Sequence, residues 1–303
     1  MRFNKLDLNL LVALDALLTV KNISRAAERV HLSQSAMSNA LSRLREYFDD
    51  DLLVQVGRNM ELTARAEGMV DAVRDILVRI EATVEAKPEF EPGSSTRAFK
   101  LLVSDYSLMT LMPKMSALAY KEAPSVRFEF VPQVTNPQRL LERGEADVLV
   151  IPKEFCSTEH PSEVLFHETY CAVIWGESHL ANGPLTEQRY RDAGHVVMQP
   201  SDGRTALDDW LVQRGGIERR VDLRTYTFSS LAYLLPGTDR IATIHRRMAD
   251  HVTKELPIVI REIPFPMPTM DQVMQWHTHR TMDPGMVWLR NLLKRSAERL
   301  EVE

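Results

Sequence analysis

The sequence predicts an α-helical N-terminal module with a small two-stranded wing, then one long helix, then a larger α/β domain. Three observations support this prediction. Two short helical patterns meet at a tight turn within residues 23–48, an apolar stripe without proline runs along residues 63–87, and strand and helix patterns alternate from Ala98 onward. A chain of 303 residues is long enough for two or three compact units with a sizeable core.

The N-terminal module centres on two short helices that lie between Ile23 and Phe48. Ser24 is predicted to cap the first helix and Ser33 the second, because hydroxyl oxygens accept the free N–H groups of a first turn. A leucine-rich segment before Lys21 predicts a further helix packed beneath this pair. One face of the second helix is apolar and is formed by Met37, Leu41, Leu44 and Phe48.

The opposite face of the second helix is polar and contains neither Glu nor Lys between Gln34 and Arg45. Its amide, hydroxyl and guanidinium groups are those that read base edges and phosphates in a major groove. The alternative is an ordinary surface hairpin, but the exposed faces of such hairpins usually favour Glu and Lys. The composition therefore favours DNA recognition. The predicted contacts around this helix are Ser24, Ser33, Gln34, Ser35, Ser38, Asn39 and Arg43.

A wing and a long helix follow. Residues 52–56 and 60–63 are predicted to pair as strands around a turn at Gly57, and Arg58 at the tip is predicted to reach the DNA backbone or minor groove, unless it is simply a solvated turn residue. Thr63 then begins a helix that continues to about Lys87, roughly 35 Å at 1.5 Å per residue. A stripe of this length is more often a dimer element than a core helix. Prolines and glycine at 88–93 predict a hinge.

Composition and charge limit the class of protein. The content of 44% hydrophobic and 26% charged residues is that of a soluble globular chain, and no run approaches the ~20 apolar residues of a membrane span. The net charge is −5, but residues 21–45 hold five basic residues against Glu28 alone, so the basic footprint is local. Two cysteines and the lack of a signal peptide pattern favour a reducing cytoplasm.

From Ala98 the sequence predicts alternating strands and helices. Strands at 99–103, 126–131 and 147–151, separated by helices at 108–122 and 137–143, predict a parallel sheet covered by helices on both faces. Further strands are predicted at 164–175, 196–198, 241–244 and 273–277, and further helices at 207–214, 228–235 and 285–300.

Several short motifs together resemble the LysR-type transcriptional regulators, nearest the branch of nodulation regulators and regulators of aromatic-compound catabolism. The motifs are Leu6-Asp7-Leu8-Asn9-Leu10-Leu11, Ala26-Ala27, Leu32-Ser33-Gln34-Ser35-Ala36-Met37-Ser38 and Leu41-Ser42-Arg43-Leu44. Ser35 stands where that family usually has proline. The resemblance covers essentially the whole chain. It implies binding to double-stranded operator DNA, a small-molecule effector, a homodimer or homotetramer, and contact with RNA polymerase.

The resemblance also implies a domain division. A winged helix-turn-helix domain spans residues 1–62, and a dimerisation linker helix with its hinge spans 63–95. The effector-binding domain of residues 96–303 is a two-lobed, periplasmic-binding-protein-like clamshell. Its first lobe comprises 96–165 and 268–303, and its second lobe comprises 166–267.

Open parallel sheets bind ligands at the carboxyl ends of their strands, where helix N-termini offer free N–H groups. Hydroxyls and amides around a few aromatic rings suit an aromatic acid or a phenol, although helix caps and turns have similar compositions. The resemblance implies polar contacts at Ser104 and near Thr135 and Gln199. The predicted effector contacts are Ser104, Asp105, Tyr106, Gln133, Thr135, Pro152, His195, Gln199, Ser201 and Phe228, and His245 also follows a strand.

Enzyme chemistry has little support in the sequence. His277 and His279 lie on one strand face but lack a third metal ligand of comparable spacing, and Cys156 lacks a neighbouring catalytic motif. No phosphate loop, zinc-peptidase motif or nucleophile elbow is present. We therefore expect no catalytic residue, metal or cofactor, and no membrane partner. The alternatives are a solute-binding protein and a small-molecule α/β enzyme without a DNA role.

Overall fold

The computed structural model describes residues 7–84, 89–133, 136–200 and 206–300. The chain divides into an N-terminal unit, Met1–Lys87 with Glu142–Glu145, and a C-terminal unit, Pro88–Leu141 with Ala146–Glu303. Within the described ranges, no helix is long and apolar enough to cross a membrane.

The N-terminal unit contains the predicted helices and wing. Its elements are α1 (Leu8–Val20), α2 (Ile23–Arg29), α3 (Gln34–Phe48), the antiparallel pair β1 (Leu53–Val56) and β2 (Asn59–Leu62), and α4 (Ala64–Val84). The long helix was predicted to continue to Lys87, and residues 85–88 lie outside the described residues. The predicted winged helix-turn-helix is confirmed.

Small and apolar side chains explain how these helices pack. Ala26 and Ala27 are buried, so α2 approaches its neighbours closely, and Met37, Leu41 and Leu44 of α3 are buried as predicted. His31 adopts a positive φ of 55° in the turn between α2 and α3, a conformation that a non-glycine residue adopts only in tight turns. α4 is held against α1 by an ion pair of 2.9 Å between Arg74 and Asp15.

The predicted cap of α2 is wrong. Asn22, not Ser24, occupies the N-cap, and its side-chain oxygen accepts a hydrogen bond of 3.0 Å from the Arg25 N–H. Ser24 lies inside the first turn with an exposed side chain. Both residues are good caps, and the turn after Lys21 decides between them, because Lys21 has a positive φ of 52° and Asn22 is extended. Ser33 caps α3 as predicted, through a bond of 3.1 Å from the Ala36 N–H.

Asn22→Ala is expected to lower the free energy of unfolding of the N-terminal unit by about 1 kcal/mol, since one first-turn N–H loses its partner. Ser24→Ala, two residues away, is expected to change it by less than about 0.5 kcal/mol. Urea unfolding followed by circular dichroism measures both. Equal losses in the two variants would show that Asn22 is not the cap.

The C-terminal unit contains two five-stranded sheets. The first has the order β4-β3-β5-β12-β6 and the second β11-β7-β10-β8-β9. Its strands are β3 (Ala98–Val103), β4 (Arg127–Pro132), β5 (Val148–Pro152), β6 (Ser162–Glu168), β7 (Tyr170–Trp175), β8 (Gly194–Met198), β9 (Arg220–Thr225), β10 (Arg240–His245), β11 (Ile258–Arg261) and β12 (Met270–Trp276). Its helices are α5 (Asp105–Glu122), α6 (Pro137–Glu142), α7 (Glu187–Asp192), α8 (Leu207–Arg214), α9 (Arg246–Val252) and α10 (Pro284–Glu298).

Both sheets are mixed: the parallel pairing predicted for the strands at 99–103, 126–131 and 147–151 is confirmed, and further strands join it in antiparallel pairings that were not predicted. β3 pairs in parallel with β4 and β5, and β8 with β9 and β10, as alternating strands and helices require. However, β12 pairs antiparallel with β5 and β6, and β7 with β10 and β11. The physical reason is that the chain leaves the first sheet after β6 and returns to it only with β12, which enters between β5 and β6.

Three local predictions also differ from the structure. The single strand predicted at 164–175 is divided at Thr169 into β6 and β7, which belong to different sheets. The helix predicted at 228–235 is a turn that contains only a short 3₁₀ segment, Ala232–Leu234. β9 and β11 were not predicted: in β9, polar residues such as Arg220 and Asp222 interrupt the apolar pattern, and β11 is only four residues long.

Candidate functional site

The polar face of α3 is exposed over its first three turns. The side chains of Gln34, Ser35, Asn39 and Arg43 are exposed and that of Ser38 is half-buried. The start of the helix is braced locally, since the Ser33 and Ser35 hydroxyls lie 3.0 Å apart. This surface presents hydroxyl, amide and guanidinium groups on a rigid helix, which is the chemistry that base-edge recognition needs.

The two arginines of α3 differ in their surroundings. Arg43 is 54% exposed and lies 3.3 Å from a carboxylate oxygen of Asp7, the N-cap of α1. The Leu10 N–H and, to a smaller extent, Arg43 lower the pKa of Asp7. Arg45 instead donates two hydrogen bonds of 2.7 Å to the carbonyls of Asp51 and Leu53. The Arg43 side chain is therefore half exposed at the helix surface, whereas Arg45 positions the wing.

The wing tip carries Arg58 in an exposed turn. Gly57 before it has φ +63°, a left-handed conformation that suits glycine, and the Gln55 amide donates to the Gly57 carbonyl at 3.2 Å. These contacts fix the turn and leave the Arg58 side chain pointing away from the unit's core.

A cavity of about 450 Å³ is lined by residues of both sheets of the C-terminal unit. Its size is that of a pocket for a small organic molecule. Among the described residues, six aromatic side chains line it, and Asp105 is the only lining residue that carries a charge at neutral pH. Six of the predicted effector contacts line it: Ser104, Asp105, Tyr106, Gln133, Pro152 and Phe228.

Two predicted effector contacts do not reach this cavity, and two cannot be placed. His195 is fully buried, and its Nε2 donates to the Tyr190 carbonyl at 2.7 Å. Burial lowers the pKa of His195 to about 4. Gln199 is not among the lining residues, and its backbone N–H donates to the Thr225 carbonyl. Thr135 and Ser201 lie outside the described residues.

Two family models match this chain. A family model described as a bacterial regulatory helix-turn-helix protein of the lysR family matches residues 8–67. A second, described as the LysR substrate binding domain, matches residues 92–298. The chain belongs to the LysR family of transcriptional regulators. It is therefore a DNA-binding regulator with an effector-binding domain and is not an enzyme, as predicted.

Relatives of this LysR-type regulator agree with that assignment. It is 40% identical over 301 residues to nodulation protein D 1 of Rhizobium tropici, covering 99% of this chain and 98% of that protein. A probable transcriptional regulator from Pseudomonas aeruginosa has a TM-score of 0.65 at 28% identity, covering 96% and 97% of the two chains. CbnR in complex with its target DNA shares the fold, with a TM-score of 0.61 at 15% identity and coverage of 96% and 100%.

The regulator's cavity also contains a cluster of aromatic rings. The search for residues at the carboxyl ends of strands predicted only part of this cluster. The His245 ring stacks on the Tyr106 ring with centroids 3.9 Å apart, and Phe228 and Tyr170 lie at 4.9 and 5.1 Å from it. His245 is the last residue of β10, and it was noted in the sequence because it follows the strand predicted at 241–244. Gln272 lies within β12, away from any strand end, so this search could not find it.

A buried carboxylate lies where the regulator's chain passes from one sheet to the other. The Tyr106 hydroxyl donates to the Glu168 carboxylate, which also accepts from the Thr169 N–H and lies 3.3 Å from Arg247. Burial raises the pKa of Tyr106 well above its usual range, and the neighbouring Glu168 carboxylate raises it further. The cavity-lining Tyr106 is thus hydrogen-bonded to Glu168, the last residue before the chain passes from β6 to β7.

Other chemistry-bearing residues of the regulator have structural surroundings. Within the described part of the chain, no three His, Cys, Asp or Glu side chains are arranged to hold a metal. The Nδ1 of His277 accepts from the His279 N–H at 3.2 Å and so caps a short 3₁₀ turn. Burial raises the pKa of Cys156 to about 11 and that of Cys171 to about 12, so both thiols stay protonated.

Proposed function

We propose that this regulator reads its operator with α3, inserted in the major groove. Gln34, Ser35, Ser38 and Asn39 contact base edges, and Arg43 binds guanine or phosphate. The hydroxyls of Ser24 and Ser33 and the guanidinium of Arg58 contact the sugar-phosphate backbone. The observation that supports this proposal is the exposed polar face of α3, which has no Lys or Glu between Gln34 and Arg45.

The regulator acts as a dimer in this proposal, paired through α4. Val73 and Leu77 of α4 pack on the core of their own unit, which leaves Ile76 43% exposed on the same helix. Exposed apolar side chains on a long helix favour pairing with a second copy. Two DNA-binding domains then engage half-sites one or more helical turns apart. Two such dimers form a tetramer.

The proposed domain division places the DNA-binding domain in residues 1–62, the linker helix and hinge in 63–95, and the effector domain in 96–303. The sheet membership of the strands supports the two lobes, since β3–β6 and β12 form one sheet and β7–β11 the other. The proposal puts the crossing points near residues 165 and 268; β6 of the first sheet ends at Glu168 and β12 begins at Met270. The regulator contacts RNA polymerase at promoters, and its site of action is the cytoplasm.

The effector in this proposal is a small aromatic molecule that binds in the cavity between the lobes. It contacts Ser104, Tyr106, Gln133, Pro152 and Phe228. Six aromatic lining residues supply ring contacts, and no Lys or Arg is found among the described lining residues. This lining favours a phenol over an aromatic acid, because a buried carboxylate needs a cationic partner. Asp105 is engaged, since its carboxylate accepts from the Ser229 N–H at 2.7 Å.

Effector binding changes the angle between lobes and hence the bend that the dimers impose on DNA. The test begins with a melting-temperature screen of phenols and aromatic acids on the full-length protein. The compound that raises the melting temperature most is then used in bend-angle gel shifts on operator DNA. A bend that changes with the compound supports the mechanism. An unchanged bend with intact induction of transcription would contradict it.

A further inference from the structure

Two polar atoms in the cavity wall have no hydrogen-bond partner among the described residues. They are Nδ1 of His245 and Oε1 of Gln272. The two residues are only 4% and 1% exposed, so solvent does not supply a partner freely. Nearly all buried polar groups in native proteins are hydrogen-bonded, and an unsatisfied one carries a free-energy penalty. Unpartnered atoms in the wall of a binding cavity indicate where a ligand's polar groups belong.

His245 is held in place by its neighbours rather than by hydrogen bonds. Its ring stacks on Tyr106 at 3.9 Å, and the Phe228 ring meets it edge-on at 4.9 Å. Burial lowers the pKa of His245 to about 3, so the imidazole is neutral at physiological pH. A neutral imidazole has one N–H donor and one acceptor nitrogen. Its natural partner is a group that can both donate and accept.

Gln272 lies in β12 at an irregularity in the pairing with β6, between Gln272 and Val273. Its Nε2 donates to the hydroxyl of the buried Ser107 at 3.2 Å, which fixes the amide and leaves Oε1 without a donor. If the amide is turned over, Nε2 becomes the unpartnered atom instead. A hydroxyl group satisfies the amide in either orientation, whereas an ether or a carboxylate satisfies only one.

Other polar groups of the wall are already used within the protein. The Gln133 amide donates to the Val150 carbonyl, and the Tyr106 hydroxyl donates to Glu168. The Ser104 hydroxyl caps α5 by accepting from the Ser107 N–H. His245 and Gln272 differ from these three residues in having a buried polar atom without a partner.

We propose that His245 and Gln272 determine effector specificity by binding two hydroxyl groups of one aromatic effector. His245 ends β10 of the second sheet and Gln272 lies in β12 of the first, so a ligand that satisfies both bridges the two sheets. The inference rests on the proposed effector cavity and assigns its polar recognition. A phenol with a single hydroxyl reaches one sheet only and binds more weakly.

The test uses the full-length protein and a panel of two-ring aromatic diols that differ in the distance between their hydroxyls. Each diol is compared with its mono- and dimethyl ethers and with a carboxylic acid of the same frame, by calorimetry. For the diol that binds best, each methylation is expected to weaken binding about tenfold, as loss of one hydrogen bond does. Two substitutions are each expected to weaken binding of this diol by the same factor. They are His245→Phe, which keeps a ring against Tyr106, and Gln272→Met.

Double-mutant cycles assign the contacts. In a variant that lacks one of the two residues, methylation of the hydroxyl that faced this residue is expected to cause no further loss of affinity. His251→Phe and Gln188→Met make the same changes at exposed positions outside the cavity and are expected to leave diol affinity unchanged. If a cavity variant fails to fold, the methyl-ether series on the wild-type protein still decides.

Several results would overturn the proposal. These are equal affinity of a diol and its dimethyl ether, unaltered diol affinity in both cavity variants, tighter binding of the acids, or no binding of any diol. Operator binding is measured by gel shift with the same protein samples that are used for calorimetry. Retained operator binding with any of these results refutes the hydroxyl recognition alone, whereas loss of operator binding in the wild-type protein refutes the proposed function.

Discussion

Arg43→Ala is expected to weaken operator binding by about 1–3 kcal/mol, a factor of about five to 150 in Kd. Arg43 is half exposed on α3 and forms an ion pair with Asp7, which is also half exposed. Exposed pairs of this kind contribute little, so Arg43 can leave Asp7 for DNA at small cost. Fluorescence anisotropy with a duplex selected from a random pool by the wild-type protein measures the change.

Two matched variants separate recognition from other effects. Arg191→Ala removes the same charge from a partly exposed pair with Glu187 on α7 of the C-terminal unit, and is expected to change Kd less than about twofold because it leaves the polar face of α3 unaltered. Asp7→Asn removes the partner of Arg43 but keeps the guanidinium. Unaltered operator affinity in Arg43→Ala, or an equal loss in Asp7→Asn, would remove Arg43 from the DNA contacts.

Arg247→Met is expected to lower the free energy of unfolding of the C-terminal unit by about 3 kcal/mol. The substitution leaves Glu168, whose side chain is 1% exposed, without its cationic neighbour at 3.3 Å. It also removes a hydrogen bond of 2.6 Å to the His167 carbonyl and the contact of the guanidinium with the Phe166 ring. Urea unfolding followed by tryptophan fluorescence measures the loss.

The neighbouring arginine is the control for that measurement. Arg246 pairs with Glu262, whose side chain is 81% exposed, so Arg246→Met is expected to cost about 0–1 kcal/mol. Glu168→Gln in the Arg247→Met background is expected to recover part of the loss, because the uncompensated charge is removed. Equal losses at positions 246 and 247 would show that the carboxylate at the crossing is not held by Arg247.

The N-terminal unit could be predicted in detail because its signals are local. The apolar positions of α3 repeat at helical spacing, and Ser33 caps it through the residue three positions later. The choice between Asn22 and Ser24 failed because it depends on backbone conformation at Lys21, which the residue pattern does not encode. The role of Arg45 is also not encoded in the residue pattern, since its side chain turns back to carbonyls that follow the helix.

The sheets of the C-terminal unit depend on pairing over long sequence distances. β12 pairs with β5 about 120 residues earlier, and no window of the sequence contains both strands. The strand pattern is continuous from residue 164 to 175, so the sequence did not indicate that the chain passes from one sheet to the other at Thr169. The edge strand β9 was missed because its alternating charged residues resemble a loop, whereas the edge strand β4 was predicted.

The cavity was predicted only where its residues follow strands. Ser104, Gln133 and Pro152 were found by that rule. His195 was placed there wrongly: it lies three residues before the cavity-lining Met198 on β8, and side chains alternate along a strand, so it faces the other side of the sheet. Gln272 was missed because the strand that carries it was predicted to begin at Val273.

The central claim is that α3 is the element that enters the DNA groove, and tethered cleavage tests it most directly. A cysteine introduced by Asn39→Cys carries an iron–EDTA group, with the native thiols removed by Cys156→Ser and Cys171→Ala. Cleavage on operator DNA is expected in two clusters that face the major groove, about one helical turn or a multiple of it apart. Binding of normal affinity without cleavage from position 39 would contradict the account.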